Sequence, residues 1–104
     1  MKYIIPESRL HQVIFKYLDM QNFNMVKKGD YIYFTENVGD KYGFLKYYSY
    51  NRSLFIFSVF ADKISNMFSL PEEDTERIIS SWVEKTFGVK VVWVYIGNNK
   101  FRFF

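Results

Sequence analysis

Tyr31-Ile32-Tyr33-Phe34-Thr35, Phe44-Leu45-Lys46-Tyr47-Tyr48-Ser49 and Leu54-Phe55-Ile56-Phe57-Ser58 are three closely spaced runs of aromatic and branched residues. Side chains of this kind fit a pleated, half-buried surface. The first gap, Asn37 to Gly43, holds Gly39-Asp40 and Gly43, and the second is the tight Asn51-Arg52-Ser53. Connections this short favour consecutive antiparallel pairing. The stretch therefore reads as a three-stranded meander, and Lys27-Lys28-Gly29-Asp30 reads as the turn leading into it.

Helical periodicity flanks the meander on both sides. Leu10, Val13, Ile14, Tyr17 and Leu18 lie on one face of a helix over 6–20, with Pro6 in its first turn and a short extended Tyr3–Ile5 before it. After the meander, from Ala61, Ile64, Met67 and Phe68 predict a short helix closed by Pro71. Pro71-Glu72-Glu73-Asp74 is a strong helix start, with proline in the first turn and carboxylates at the positive end of the dipole. Ile78, Ile79, Trp82, Val83 and Phe87 give this helix its apolar face, with Lys85 in the last turn and Gly88 as its cap.

Val89–Ile96 is apolar on both faces apart from Lys90, which predicts a central, well-buried strand. Gly97-Asn98-Asn99 can turn the chain, and Lys100–Phe104 is expected to pair back on 89–96 as a terminal edge strand, the alternative being an unpaired interaction tail. The expected fold is a single α+β domain over residues 1–104. Its antiparallel sheet of four or five strands packs against two main helices, in the order α-β-β-β-α-α-β(-β).

Composition narrows the chemistry. The chain has 104 residues, 49% of them apolar and 22% aromatic, enough to bury a core without staples. With no cysteine there is no disulfide framework, thiolate metal site or thiol nucleophile, and His11 alone cannot build a multi-histidine zinc site. No run approaches the roughly 20 apolar residues of a membrane span, and Pro6-Glu7 interrupts the N-terminus before a signal-peptide core forms. No membrane partner and no export by that route are expected. The net charge of +3 is uneven: residues 61–88 hold six acids to three cations, and most of those acids belong to the helix start at Glu72.

No catalytic, cofactor or metal constellation emerges. Ser8 lies three residues before His11 on the same helix, which is not the arrangement of a nucleophile and its base. Glu72, Glu73, Asp74 and Glu76 are explained by capping and solvation. The five glycines are dispersed and form no phosphate loop.

The aromatic residues are the unusual resource. Helical and strand periods assign Phe15, Tyr17, Phe68, Trp82, Phe87 and Trp93 to core or boundary positions. In the strands, Tyr31 and Tyr33 share one face, as do Phe44, Lys46 and Tyr48, while Lys100 and Arg102 oppose Phe101 and Phe103. If helices cover the greasier side, the open side carries Tyr31, Tyr33, Lys46, Tyr48 and Arg102. Rings among cations suit single-stranded nucleic acid, where they stack on bases and neutralise phosphates. The same rings suit protein association, since interfaces are rich in Tyr, Trp, Phe and Arg.

Two stretches carry a family likeness. Lys2-Tyr3-Ile4-Ile5-Pro6-Glu7-Ser8-Arg9-Leu10 resembles the opening of many small proteins of tailed bacteriophages, although those have threonine where Pro6 stands. Met67-Phe68-Ser69-Leu70-Pro71-Glu72-Glu73, with Trp82-Val83-Glu84, is similar to a second segment of such proteins. The resemblance implies a phage-encoded accessory or virion component, placed in the host cytoplasm or the virion. The expected function is non-enzymatic: protein–protein contacts with copies of itself or with virion or host components. The alternative is binding of single-stranded nucleic acid through the Tyr31, Tyr33, Lys46, Tyr48 and Arg102 face.

Overall fold

The structure, a computed structural model, describes residues 7–102. The segments expected at Tyr3–Ile5 and Phe103-Phe104 lie outside the described residues. The chain runs through α1 (Glu7–Met20), β1 (Asn24–Lys28), β2 (Tyr31–Thr35), β3 (Tyr42–Gly43), β4 (Leu45–Tyr48), β5 (Ser53–Phe57), α2 (Ser58–Phe68), α3 (Glu72–Phe87), β6 (Trp93–Gly97) and β7 (Phe101–Arg102). Five strands form the main sheet in the order β1-β2-β4-β5-β6, and β3 pairs with β7 in a separate two-stranded sheet. The fold is α+β, and the order of elements roughly matches the expected one; two further strands, β1 and β3, precede the second helix, and the sheet expected to be antiparallel throughout is parallel at β5–β6.

The meander forms as its spacing predicts: β2, β4 and β5 pair antiparallel, Tyr33 opposite Lys46 and Lys46 opposite Phe55. One strand precedes it that the sequence does not announce. Asn24–Lys28 pairs with β2 through a tight turn in which Gly29 takes φ +58°, so Lys27 and Lys28 are strand residues and the turn itself is Gly29-Asp30. The run from Phe44 to Ser49 is also reshaped. Tyr42–Gly43 belongs to the small sheet, Leu45–Tyr48 to the large one, and Phe44 sits in the break between them. Its backbone still bridges the sheet, donating to Phe34 O and accepting from Phe57 N–H, each at 2.9 Å. Gly43 is glycine for a steric reason: a Cβ there would lie 2.9 Å from the Phe34 carbonyl oxygen and 3.2 Å from Tyr33 Cβ.

β5 passes directly into α2, which begins at Ser58 and not at Ala61, so Ser58 is helical. α2 ends where Ser69 adopts φ 52°, and α3 ends at Gly88, φ 67°, whose N–H bonds Glu84 O. The chain then returns to lay β6 parallel to β5, Tyr95 beside Phe55. Parallel neighbours need a long crossover, and the two helices supply it. Tyr47 Oη donates to Lys90 O at 2.8 Å, and Glu84 Oε2 accepts from Val91 N–H at 3.0 Å, fixing the returning segment.

Residues 93–97 thus form an edge of the sheet, not its centre. The run from 89 is apolar on both faces because Val89, Val91, Val94 and Ile96 pack on the core while Trp93 and Tyr95 face outward, 56% and 49% exposed. Trp93 is accordingly not a core residue. β7 does not pair with β6 either; Phe101 lies opposite Gly43 and Arg102 opposite Tyr42.

All three helices contribute to one core. Ile14 and Leu18 of α1, Ala61 and Ile64 of α2, and Ile78, Ile79, Trp82 and Val83 of α3 meet Phe34, Leu45, Tyr47, Leu54 and Ile56 of the sheet. Phe44 joins this cluster, edge-on to Phe23 at 4.6 Å and beside Phe60 at 4.6 Å. The break at Gly43–Phe44 removes it from the Lys46–Tyr48 face that simple alternation assigns. Trp82 Nε1–H donates to Asp19 Oδ1 at 2.9 Å, tying the end of α1 to α3.

Candidate interaction face

Alternation along each strand gives the main sheet a second face that no helix covers among the described residues. The register places Tyr33, Lys46, Phe55 and Tyr95 in one row across β2, β4, β5 and β6. The row beside it holds Tyr31, Tyr48, Ser53 and Trp93. Tyr31 and Tyr48 stack at 4.5 Å and 15°, and the stack continues to Tyr33 on one side and Tyr50 on the other. Phe55 and Tyr95 stack at 5.1 Å and 20°.

Lys46 stands at the centre. Its ammonium lies 4.5 Å from the centre of the Phe55 ring, 5.2 Å from Tyr31 and 5.3 Å from Phe101. These cation–π contacts partly compensate lost water, but burial still lowers the Lys46 pKa from its ordinary value. Burial also raises the pKa of Tyr33, with Tyr31 adding to the effect, and that of Tyr48. The cation is therefore enclosed in an aromatic setting rather than presented to solvent.

Four of the five residues expected on this face converge there: Tyr31, Lys46 and Tyr48 half-buried, Tyr33 buried at 6% exposure. Arg102 does not join them; it is exposed on β7 opposite Tyr42. Its neighbour Phe101 instead packs edge-on to Phe55 at 6.2 Å, so the small sheet shelters the Lys46 end of the face. Phe55, Trp93, Tyr95 and Phe101 are the members that alternation in β2 and β4 alone does not find. Their signal lies in β5 and β6, where Phe55 alternates with Leu54 and Ile56, and Trp93 and Tyr95 with Val94 and Ile96.

Elsewhere, a cleft of about 240 Å³ opens between the ends of α1 and α2 and the sheet, lined by Tyr17, Phe23, Phe57 and Phe60 with Glu36 and Lys63. His11 is half-buried and stacked on Phe15 at 6.3 Å. Glu72 and Glu73 are exposed at the start of α3, and Asp74 pairs with Arg77. Among the described residues no group of His, Asp and Glu could hold a metal ion, and no helix is long and apolar enough to cross a membrane.

The face can offer large, rigid, amphipathic contact area, with tyrosine hydroxyls at its surface and little free charge. Comparison of the chain with protein-family models, with curated proteins and with solved structures gives no match.

Proposed function

We propose that this chain is a non-enzymatic interaction protein that works through protein–protein contacts made by the open aromatic face. Its setting, on the resemblance to small phage proteins, is that of an accessory or assembly component in the host cytoplasm or the virion. One observation carries this reading: Trp93 and Tyr95, 56% and 49% exposed, extend a ring surface to a sheet edge that bears no charge. Exposed aromatic residues with little free charge are the composition of interface cores, and the Lys46 ammonium at the centre of the face is covered by three rings.

The test is capture of partners from lysate of phage-infected cells, with the wild-type chain compared with a Tyr48→Ser, Trp93→Ser, Tyr95→Ser triple variant. The expected result is self-association or a partner lost with the variant. Equal recovery by both chains would overturn the reading.

A second reading, binding of single-stranded nucleic acid, is favoured by the position of Lys46 beside Tyr31 and Tyr48. Against it, the ring faces of Tyr31 and Tyr48 are filled by one another and the ammonium by three rings. It predicts oligonucleotide affinity that falls steeply with salt and weakens in Tyr33→Ala and Lys46→Ala. No binding at low salt excludes it.

A further inference from the structure

The two edges of the main sheet are defended differently. β1 carries Lys27 and Lys28, the kind of charge that keeps one edge strand from pairing with another. β6 is the opposite edge, and among the described residues it pairs with β5 alone. From Val91 to Gly97 it has no charge and no proline. Trp93, Tyr95 and the adjoining Val92 are each about half exposed beside it.

We propose that a second copy of this chain occupies that edge, β6 pairing antiparallel with β6 about a dyad at Tyr95 to join two five-stranded sheets into one. The inference rests on the protein-contact reading above and names the partner. Its support is the unguarded, charge-free edge with Val92, Trp93 and Tyr95 about half exposed, and the register of a self-pair is compatible with it. With Tyr95 opposite Tyr95, Val94 meets Ile96 on the core side and Trp93 meets Gly97 on the open side. Because opposed residues in an antiparallel pair share a face, both copies keep their buried and open sides aligned. The open side of Gly97 is covered by the chain's own Phe101 ring, 3.4 Å from where a Cβ would stand, so the indole of the second copy meets Phe101 edge to edge. The interface is isologous, as a two-fold dimer requires.

Its size sets its strength. Aromatic side chains offer roughly 200 Å² each. Two of them half exposed, with a strand of five residues, supply only a few hundred Å² per copy, less than the roughly 800 Å² of a standard interface. An interface this small belongs with weak, reversible associations and not with permanent dimers.

Sedimentation equilibrium on the purified chain from 10 μM to 1 mM tests this. The expected mass rises from 12.6 kDa toward twice that value, and Tyr95→Lys abolishes the rise without changing the circular dichroism. The chain has no cysteine of its own. Tyr95→Cys should therefore form a disulfide dimer at least tenfold faster than Val59→Cys, which is exposed on α2. A monomer at every concentration, or equal crosslinking of the two cysteine variants, overturns the proposal. Neither result touches the protein-contact reading, which fails only if the lysate partners are unaffected by the triple variant.

Discussion

On the side of the sheet that meets the helices, Leu45, Leu54 and Ile56 are 0–1% exposed and fit among branched aliphatic neighbours. One residue along in each strand, on the other side, stand Lys46, Phe55 and Ser53 with rings stacked around them. The first surface excludes water by interlocking shapes from two layers. Among the described residues the second has no layer above it over most of its width, so its rings cover one another sideways and leave their edges wet. The difference separates what holds the fold from what is free to bind. It also makes adjacent residues of a single strand respond differently to the same substitution.

Ile56 and Phe55 give the largest contrast. Ile56→Ala removes a fully buried side chain and is expected to destabilise by about 2–5 kcal/mol. Phe55→Ala removes a half-buried ring whose partners are Tyr95, Phe101 and the Lys46 ammonium. It should cost about 1–2 kcal/mol, the loss of aromatic pairing and partial burial. Urea unfolding of the two variants measures both. Equal losses would mean that the open face is as structural as the core.

Gly43 marks where the two surfaces are stitched together. A methyl group there meets backbone and Cβ atoms of β2 at 2.9–3.2 Å, none of which can swing away. Gly43→Ala should therefore shift the β3–β4 break and destabilise by about 1–3 kcal/mol. Loss of the Phe101–Lys46 contact, read from Phe101 ring chemical shifts, would show that the strain reaches the open face.

The helices, the meander and the order of elements were legible because periods and turn residues there agree with burial. β1 was not, because Asn24-Met25-Val26-Lys27-Lys28 is an edge strand: Met25 and both lysines are exposed, so no apolar alternation survives to be read. β6 was misplaced for a related reason. Trp93 and Tyr95 count as apolar in a periodicity argument, and whether such rings are buried depends on which strand comes to lie beside them. Of the open face, Tyr31, Tyr33, Lys46 and Tyr48 could be placed from alternation in two neighbouring strands. Phe55, Tyr95 and Trp93 needed the parallel pairing of β5 with β6, which joins segments separated by two helices. The exile of Arg102 and the inward turn of Phe44 depend on a backbone break at Gly43 that no period announces.

Lys46 sharpens the comparison through pH. Its folded pKa is lowered by burial, so the native state gives up the proton before the unfolded chain does. The unfolded state then binds more protons in the window just below about 10.5, and this group's contribution to stability rises with pH there. Lys46→Met removes the charge, keeps the stem, and is expected to lie within about 1 kcal/mol of wild type at pH 7, on the stabilising side. Its advantage should shrink as pH approaches about 10.5. The raised pKa values of Tyr33, Tyr47 and Tyr48 act oppositely, lowering stability above about pH 10, and do so in both chains. Thermal melts of the two proteins between pH 7 and 10.5 separate the lysine from the tyrosines. An unchanged gap would mean that Lys46 is as well solvated folded as unfolded.

The smallest effect belongs to one of two hydroxyls that are both fully buried on the open face. Thr35 Oγ1 donates to Asn37 O at 3.0 Å and accepts from Asn24 Nδ2 at 3.2 Å. Ser53 Oγ, between Tyr48 and Trp93 in the register, has no partner among the described residues. Thr35→Val strands an amide and a carbonyl that relied on the hydroxyl and should destabilise by about 1–2 kcal/mol. Ser53→Ala removes an oxygen already stripped of water and is expected to change stability by less than about 0.5 kcal/mol, or to raise it. Urea midpoints of both variants decide the matter. If Ser53→Ala is destabilising by as much as Thr35→Val, the pocket between the two rings must hold a water that bonds the hydroxyl, and the open face is wetter than its stacked rings imply.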